Sequence, residues 1–151
     1  MVKYIIAKYN ADKSKVFMTG RSSGSMMTNV MAAAYPEIFV AGAQGKIIKT
    51  GAEWAAIARD MYPGYTGAYP RMQFWHGTVH GILNYQNLHQ EVKQWTTVWG
   101  VADVQPVTST DSPEAGYTRV NYGDKVESVS ADNIGHDIPV NEEESLKRFG
   151  I

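Results

Sequence analysis

Apolar residues Val2, Ile5, Ile6 and Tyr9 recur at helical spacing and predict a first helix over 2–10. Asp12-Lys13-Ser14 reads as a turn, and Val16-Phe17-Met18, flanked by polar residues, as a short buried strand. Over 23–35 the pattern is helical again, with Met27, Val30, Met31 and Ala34 on one face and Pro36 where a helix should stop. Residues 38–43 read as another short strand. Thr50 and Glu53 are spaced as a capping box, each satisfying an orphan amide of a helix start, and that helix turns Trp54, Ile57, Ala58 and Met61 inward. Residues 63–67 (PGYTG) form a loop. Met72-Gln73-Phe74-Trp75 is a strand ending at His76-Gly77. Leu88, Val92, Trp95 and Trp99 repeat at helical spacing, and Gly100 suits the position just past the helix end.

The stretch 103–116 is rich in Pro, Ser, Thr and Asp and reads as a surface loop. Residues 118–122 and 126–130 alternate as strands around a Gly123-Asp124 turn. A polar loop, Asn133-Ile134-Gly135-His136-Asp137, follows. The last helix is expected over 139–149, with Glu142, Glu143 and Glu144 at its start and Lys147 and Arg148 near its end, as the helix dipole favours. No internal repeat is present. Strands alternating with helices argue for one α/β domain over 1–151, with helices on both faces of its sheet.

Composition narrows the function classes. Hydrophobic residues are 44% and aromatics 11% of 151, enough for a packed core. The formal net charge of -1, without runs of like charge, argues against a nucleic-acid or charge-driven membrane partner. No apolar stretch is long enough to span a bilayer, and Met1-Val2-Lys3-Tyr4 shows no signal-peptide pattern. Without cysteine there is no disulfide, thiolate metal site or cysteine nucleophile.

The chemistry concentrates at Gly20-Arg21-Ser22-Ser23-Gly24, which fits G-x-S-x-G between a predicted strand and a predicted helix. In a nucleophile elbow Ser22 stands out on a sharp bend, and the Ser23 amide at the helix start stabilises an oxyanion. The glycines allow strand and helix to approach. An ordinary Gly/Ser turn is the competing reading. A serine nucleophile needs a base, and there are four histidines. His89 lies one position off the apolar stripe of its helix and reads as solvated. His136, in a Gly-containing loop after the last strand, stands where the base falls in the chain order serine first, histidine last. Trp75 and His76 at their strand end are candidate substrate contacts, with His76 alternatively holding the loop after it. A metal site from His76, His80 and a distant carboxylate is set aside, because the two histidines flank a Gly in a loop rather than sharing a helix face. No cofactor is expected.

The stretches 8–43 (KYNADKSKVFMTGRSSGSMMTNVMAAAYPEIFVAGA), 50–78 (TGAEWAAIARDMYPGYTGAYPRMQFWHGT), 92–101 (VKQWTTVWGV), 135–140 (GHDIPV) and 146–151 (LKRFGI) resemble the catalytic domain of carbohydrate esterase family 1. These are the acetylxylan and feruloyl esterases, related to polyhydroxybutyrate depolymerases. The resemblance implies an α/β-hydrolase fold and a secreted serine esterase acting on acetyl or feruloyl esters of xylan. It maps the nucleophile onto Ser22 and the base onto His136.

Three departures shape the expectation. The family's HGTAD pattern is His76-Gly77-Thr78-Val79-His80 here, so His80 occupies the place of the triad acid. A neutral histidine supplies no negative charge to orient His136, and losing the acid of a serine triad costs on the order of 10⁴ in turnover. Asp132, Asp137 and Asp103 are the carboxylates that could substitute, none at the expected strand end. The family's first strands and second oxyanion amide are missing from the amino end, so the hydrolase fold is expected to be incomplete. The passage from Ala43-Gln44 to Gly45-Lys46 joins segments that the family separates by a longer insert. An open sheet edge should lead to self-association or marginal stability. The alternative to a weakened esterase is an inactive esterase-fold remnant, or a carbohydrate-binding protein using Tyr62, Tyr65 and Tyr69, whose other reading is loop packing.

Overall fold

The computed structural model describes residues 2–12, 15–22, 24, 27 and 44–151. Among them the chain forms helix α1 (Val2–Tyr9), helix α2 (Gly51–Asp60), strand β1 (Met72–Gly77) and helix α3 (Gln86–Val98). Strands β2 (Val107–Thr110), β3 (Tyr117–Tyr122) and β4 (Val126–Ala131) follow, then helix α4 (Glu142–Phe149). One mixed sheet has the order β1-β4-β3-β2. β2, β3 and β4 form an antiparallel meander, whereas β1 runs parallel to β4. Parallel neighbours need a long crossover, supplied by α3 and the first two strands of the meander. This is the α/β organisation that the alternating pattern predicts.

Local signals explain the helices. The Thr50 hydroxyl accepts from the Glu53 amide at 3.2 Å, and the Glu53 carboxylate accepts from the Thr50 amide at 2.8 Å, closing the predicted capping box. Gly100 takes φ +68 past the end of α3, a conformation glycine adopts without a Cβ penalty. α2 buries Trp54, Ala55 and Ala58 against α3. Gln90 of α3 pins the pair, its side-chain oxygen accepting from the Trp54 indole at 2.9 Å and the Lys49 amide at 3.1 Å.

Period-2 alternation sorts the sheet into two faces. Met72, Phe74 and Val126 meet Leu88, Trp95 and Ala58 on one side. Tyr117, Val129 and Ala131 pack with Trp75, Ile134 and Ile138 on the other. That second face also carries buried charge. Glu127 accepts from Gln73 at 2.6 Å and from Arg119 at 3.4 Å, and the other end of the Arg119 fork pairs with Glu144 of α4. Arg148 of α4 donates to the carbonyls of Met72 (3.0 Å) and Lys125 (2.9 Å), clasping the starts of both parallel strands.

Several elements differ from the sequence reading. Val16, Phe17 and Met18 form no strand and are 48%, 37% and 49% exposed. An apolar run becomes a strand only when a sheet edge pairs with it, and Phe17 instead stacks on Phe149 at 4.4 Å. Part of the expected loop 103–116 is β2, paired with β3. As an exposed edge strand it carries no apolar alternation to read. α4 begins at Glu142 rather than at 139, because the Asn141 side chain caps the Glu144 amide at 3.0 Å. The helix expected over 23–35, apart from helical Gly24 and Met27, and the strand over 38–43 lie outside the described residues.

The buried ion network yields one expectation. Without Arg119, Glu127 and Glu144, whose side chains are 6% and 10% exposed, share a buried face with no guanidinium between them. Arg119→Met should cost about 3–5 kcal/mol, read as a lowered urea midpoint. The Arg119 hydrogen bond, foremost, holds the Glu144 carboxyl below its usual range. Its stabilisation is therefore complete above the ordinary carboxylate value and is lost as pH falls through the depressed one. An unshifted midpoint would show that the carboxylates are hydrated.

Candidate active site

Parallel pairing brings the carboxyl ends of β1 and β4 side by side, with Gly77 in register with Ala131. The loops that leave them are zipped together. Thr78 N–H donates to the Ala131 carbonyl at 3.0 Å and Val79 N–H to the Ile134 carbonyl at 3.3 Å. The Thr78 hydroxyl accepts from the Asn133 amide at 3.0 Å and donates to Asp132 at 3.2 Å. Gly77 makes the crossing possible, since a Cβ there would lie 2.1 Å from the Ile134 carbonyl oxygen and 2.5 Å from that of Gly135. The crossing carries His136 to His80, with His136 Nδ1 and His80 Nε2 2.7 Å apart and the rings perpendicular at 89°.

His80 is held from its other side as well. Its Nδ1 accepts the backbone N–H of Ile82 at 3.2 Å and of Leu83 at 2.8 Å. His76 is buried behind it, with ring centres 5.0 Å apart. Its Nδ1 donates to the Gly77 carbonyl at 2.8 Å, and its Nε2 has no partner among the described residues. Burial foremost, with the charge of His89 adding, lowers the His76 pKa against the opposing Gly77 bond. Burial also lowers that of His80, helped by His76 and His136, against its own backbone hydrogen bond and the charge of Asp137. Both rings are neutral imidazoles at neutral pH. An open cleft of about 260 Å³ beside His80 is lined by Gln44, Lys46, Gly81, Ile82 and Asn84.

Ser22 takes φ +54 in a turn closed by the Gly24 amide on the Arg21 carbonyl at 2.9 Å. A non-glycine residue there is strained, as the elbow reading requires of its serine. Among the described residues, a Cβ at Gly24 would meet nothing within 4 Å. Ser23 lies outside the described residues. Arg21 pairs with Asp137, tying the neighbour of Ser22 to the neighbour of His136. With those side chains 55% and 84% exposed, the pair guides approach more than it stabilises. Ser22 and His136 share no hydrogen bond among the described residues.

The remaining candidates separate. Trp75 points to the opposite sheet face from His76, edge-on to Tyr117 at 6.0 Å. His89 is exposed and meets Tyr85 edge-on. Asp132 is engaged by Thr78 and Asn133, and Asp137 by Arg21, so neither bonds to His136. Asp103 is exposed beyond α3. Tyr62, Tyr65 and Tyr69 form a chain of ring contacts ending on buried Trp95. Among the described residues no group of three or more metal-ligating side chains is placed to hold an ion, and no helix is long and apolar enough to cross a membrane. The pattern HGTVH pointed to His80, but nothing in the sequence signalled its Ile82 and Leu83 partners or the Arg21–Asp137 pair.

No family model matches the chain. It is 44% identical to a feruloyl esterase B of Talaromyces funiculosus over 179 aligned positions, covering 100% of this chain and 50% of that protein. It is 41% identical to a probable acetylxylan esterase A of Aspergillus fumigatus, covering 100% of this chain and 48% of the relative. The structure superposes on an acetyl xylan esterase from Aspergillus awamori with a TM-score of 0.91 at 39% identity, over 99% of this chain and 64% of that one. The resemblance carried by the motifs is borne out along the whole chain. The chain spans about half the length of the curated relatives it matches. The 179 aligned positions exceed its 151 residues, so the relatives carry internal positions with no counterpart here.

Two expectations follow from this geometry. Gly77→Ala should push the His136 loop off β1 and cost about 1–3 kcal/mol, measured by thermal unfolding. An unchanged melting temperature would show that the loop yields. The unfolded chain protonates its histidines near the ordinary value of 6.5, whereas His76 and His80 stay neutral to lower pH when folded. Stability is thus full above 6.5 and declines below it until the folded rings also protonate. His76→Asn should flatten that decline between about pH 7 and about pH 5, seen as pH-dependent urea midpoints.

Proposed function

We propose that this chain is the nucleophile-and-base portion of a serine carboxylic-ester hydrolase that removes acetyl or feruloyl groups from xylan. The observation carrying this reading is the strained Ser22 turn, drawn to the His136 loop by the Arg21–Asp137 pair. Similarity to feruloyl and acetylxylan esterases over the whole chain supports it. In this reading Ser22 Oγ attacks the ester carbonyl and His136 Nε2 takes its proton. The Ser23 amide donates to the oxyanion, the alcohol leaves with the proton from His136, and water releases the acyl group by the same steps. His80 stands in the place of the acid. His76 lines the site behind His80, while Trp75 supports the sheet end from the opposite face. The chemistry needs no cofactor.

The same proposal takes the sheet as part of an α/β-hydrolase sheet in a single domain. The parallel β1–β4 pair with both site loops at its carboxyl ends supports it, that being where open α/β sheets place ligands. The outer edge of β1, unpaired among the described residues, is where a second copy would add a strand. Because xylan lies outside the cell, the proposed substrate implies a secreted enzyme.

Hydrolysis of an aryl acetate and of acetylated xylan tests the reading. Ser22→Ala should fall to the buffer rate while keeping the parent's melting temperature. A variant as fast as the parent would remove Ser22 from the chemistry.

A further inference from the structure

We infer that His80 is a tautomer lock that holds His136 with its proton on the wrong nitrogen for a base. The consequence for catalysis rests on the esterase reading above, whereas the lock itself rests on hydrogen-bond geometry alone.

A backbone N–H can only donate. His80 Nδ1 faces two of them, from Ile82 at 3.2 Å and Leu83 at 2.8 Å, so that nitrogen carries a lone pair. A neutral imidazole has one N–H, which therefore sits on His80 Nε2. That N–H points at His136 Nδ1, 2.7 Å away, and the perpendicular rings suit a donor aimed at an in-plane lone pair. His136 Nδ1 is thus the acceptor, and the proton of neutral His136 sits on Nε2. Nε2 is the atom that must accept the proton of Ser22.

A carboxylate in place of His80 would impose the reverse. It accepts from Nδ1–H and leaves Nε2 bare, then stabilises the imidazolium that forms when the serine is deprotonated. Here an imidazolium at His136 would aim Nδ1–H at the N–H of His80. Moving the His80 proton to Nδ1 would relieve that conflict only by turning it against the amides of Ile82 and Leu83. A doubly protonated His80 meets both obstacles together. Its other close neighbour, His76, brings no negative charge, and Asp137, exposed and paired with Arg21, is the smallest of the influences on the His80 ring. His80 is therefore a positioning residue with a negative effect, which a mere absence of the acid would not have.

This separates two substitutions that a missing-acid account treats alike. His80→Ala frees His136 to carry its proton on Nδ1 and should raise aryl acetate turnover over the parent by about 10-fold. His80→Asp also supplies the charge and should approach the roughly 10⁴-fold that a correctly oriented imidazole contributes. If His80 aided catalysis, His80→Ala would be slower than the parent, which overturns the proposal.

The tautomer is read directly by long-range ¹H–¹⁵N spectra of the parent, with His136 assigned by the signals lost in His136→Ala. The expected pattern is a bare Nδ1 and a protonated Nε2 in His136, reversing in His80→Asp. A protonated Nδ1 in the parent overturns the lock whatever the activities. The expected spectrum together with turnover that stays at the buffer rate in every variant upholds the lock and removes the esterase reading instead.

Discussion

The parallel pairing of β1 with β4 is the contact on which the site depends. It aligns two chain segments distant in sequence so that both leave the sheet at the same end, and the missing side chain of Gly77 then lets the second loop lie across the first strand. The histidine pair is hung on that crossing. Val79 is stitched to Ile134 by a backbone bond and Asn133 to the Thr78 hydroxyl, and His80 and His136 meet as a result. The buried Arg119 network and the Arg148 clasp act at the sheet behind it, one on the face of β4 and the other at the starts of both parallel strands.

What could be read from the sequence was local. The Thr50–Glu53 capping box, the Leu88–Trp99 stripe, the Gly100 stop and the Gly123 turn each depend on residues a few positions apart, and each appears as expected. The misread segments are those whose state a distant partner decides. Val16-Phe17-Met18 has strand composition without a strand to join, and β2 has a strand partner without the alternation that burial imprints. Trp75 and His76 illustrate a signal that was present but unused. Consecutive strand residues face opposite sides, so the two could not line one pocket.

The candidate site divides along the same line. Residue types and order were enough to single out Ser22, His136 and the substitution at His80. Whether His80 is inert or obstructive turns on two main-chain amides in the loop behind it, and backbone donors leave no trace in residue identity. The electrostatics of the site are accordingly set more by hydrogen-bond direction than by charge. The neutral imidazole of His80 exerts its influence through where it keeps its single proton.

The sheet also joins local to long-range pairing. The meander β2-β3-β4 closes through short turns, whereas Gln73 of β1 must find Glu127 of β4 across 54 positions of chain. Such non-local pairing carries a loop-closure entropy that the short turns of the meander escape. The two histidines meet only where that long-range pairing is made. The histidine pair is thereby confined to the fully docked sheet.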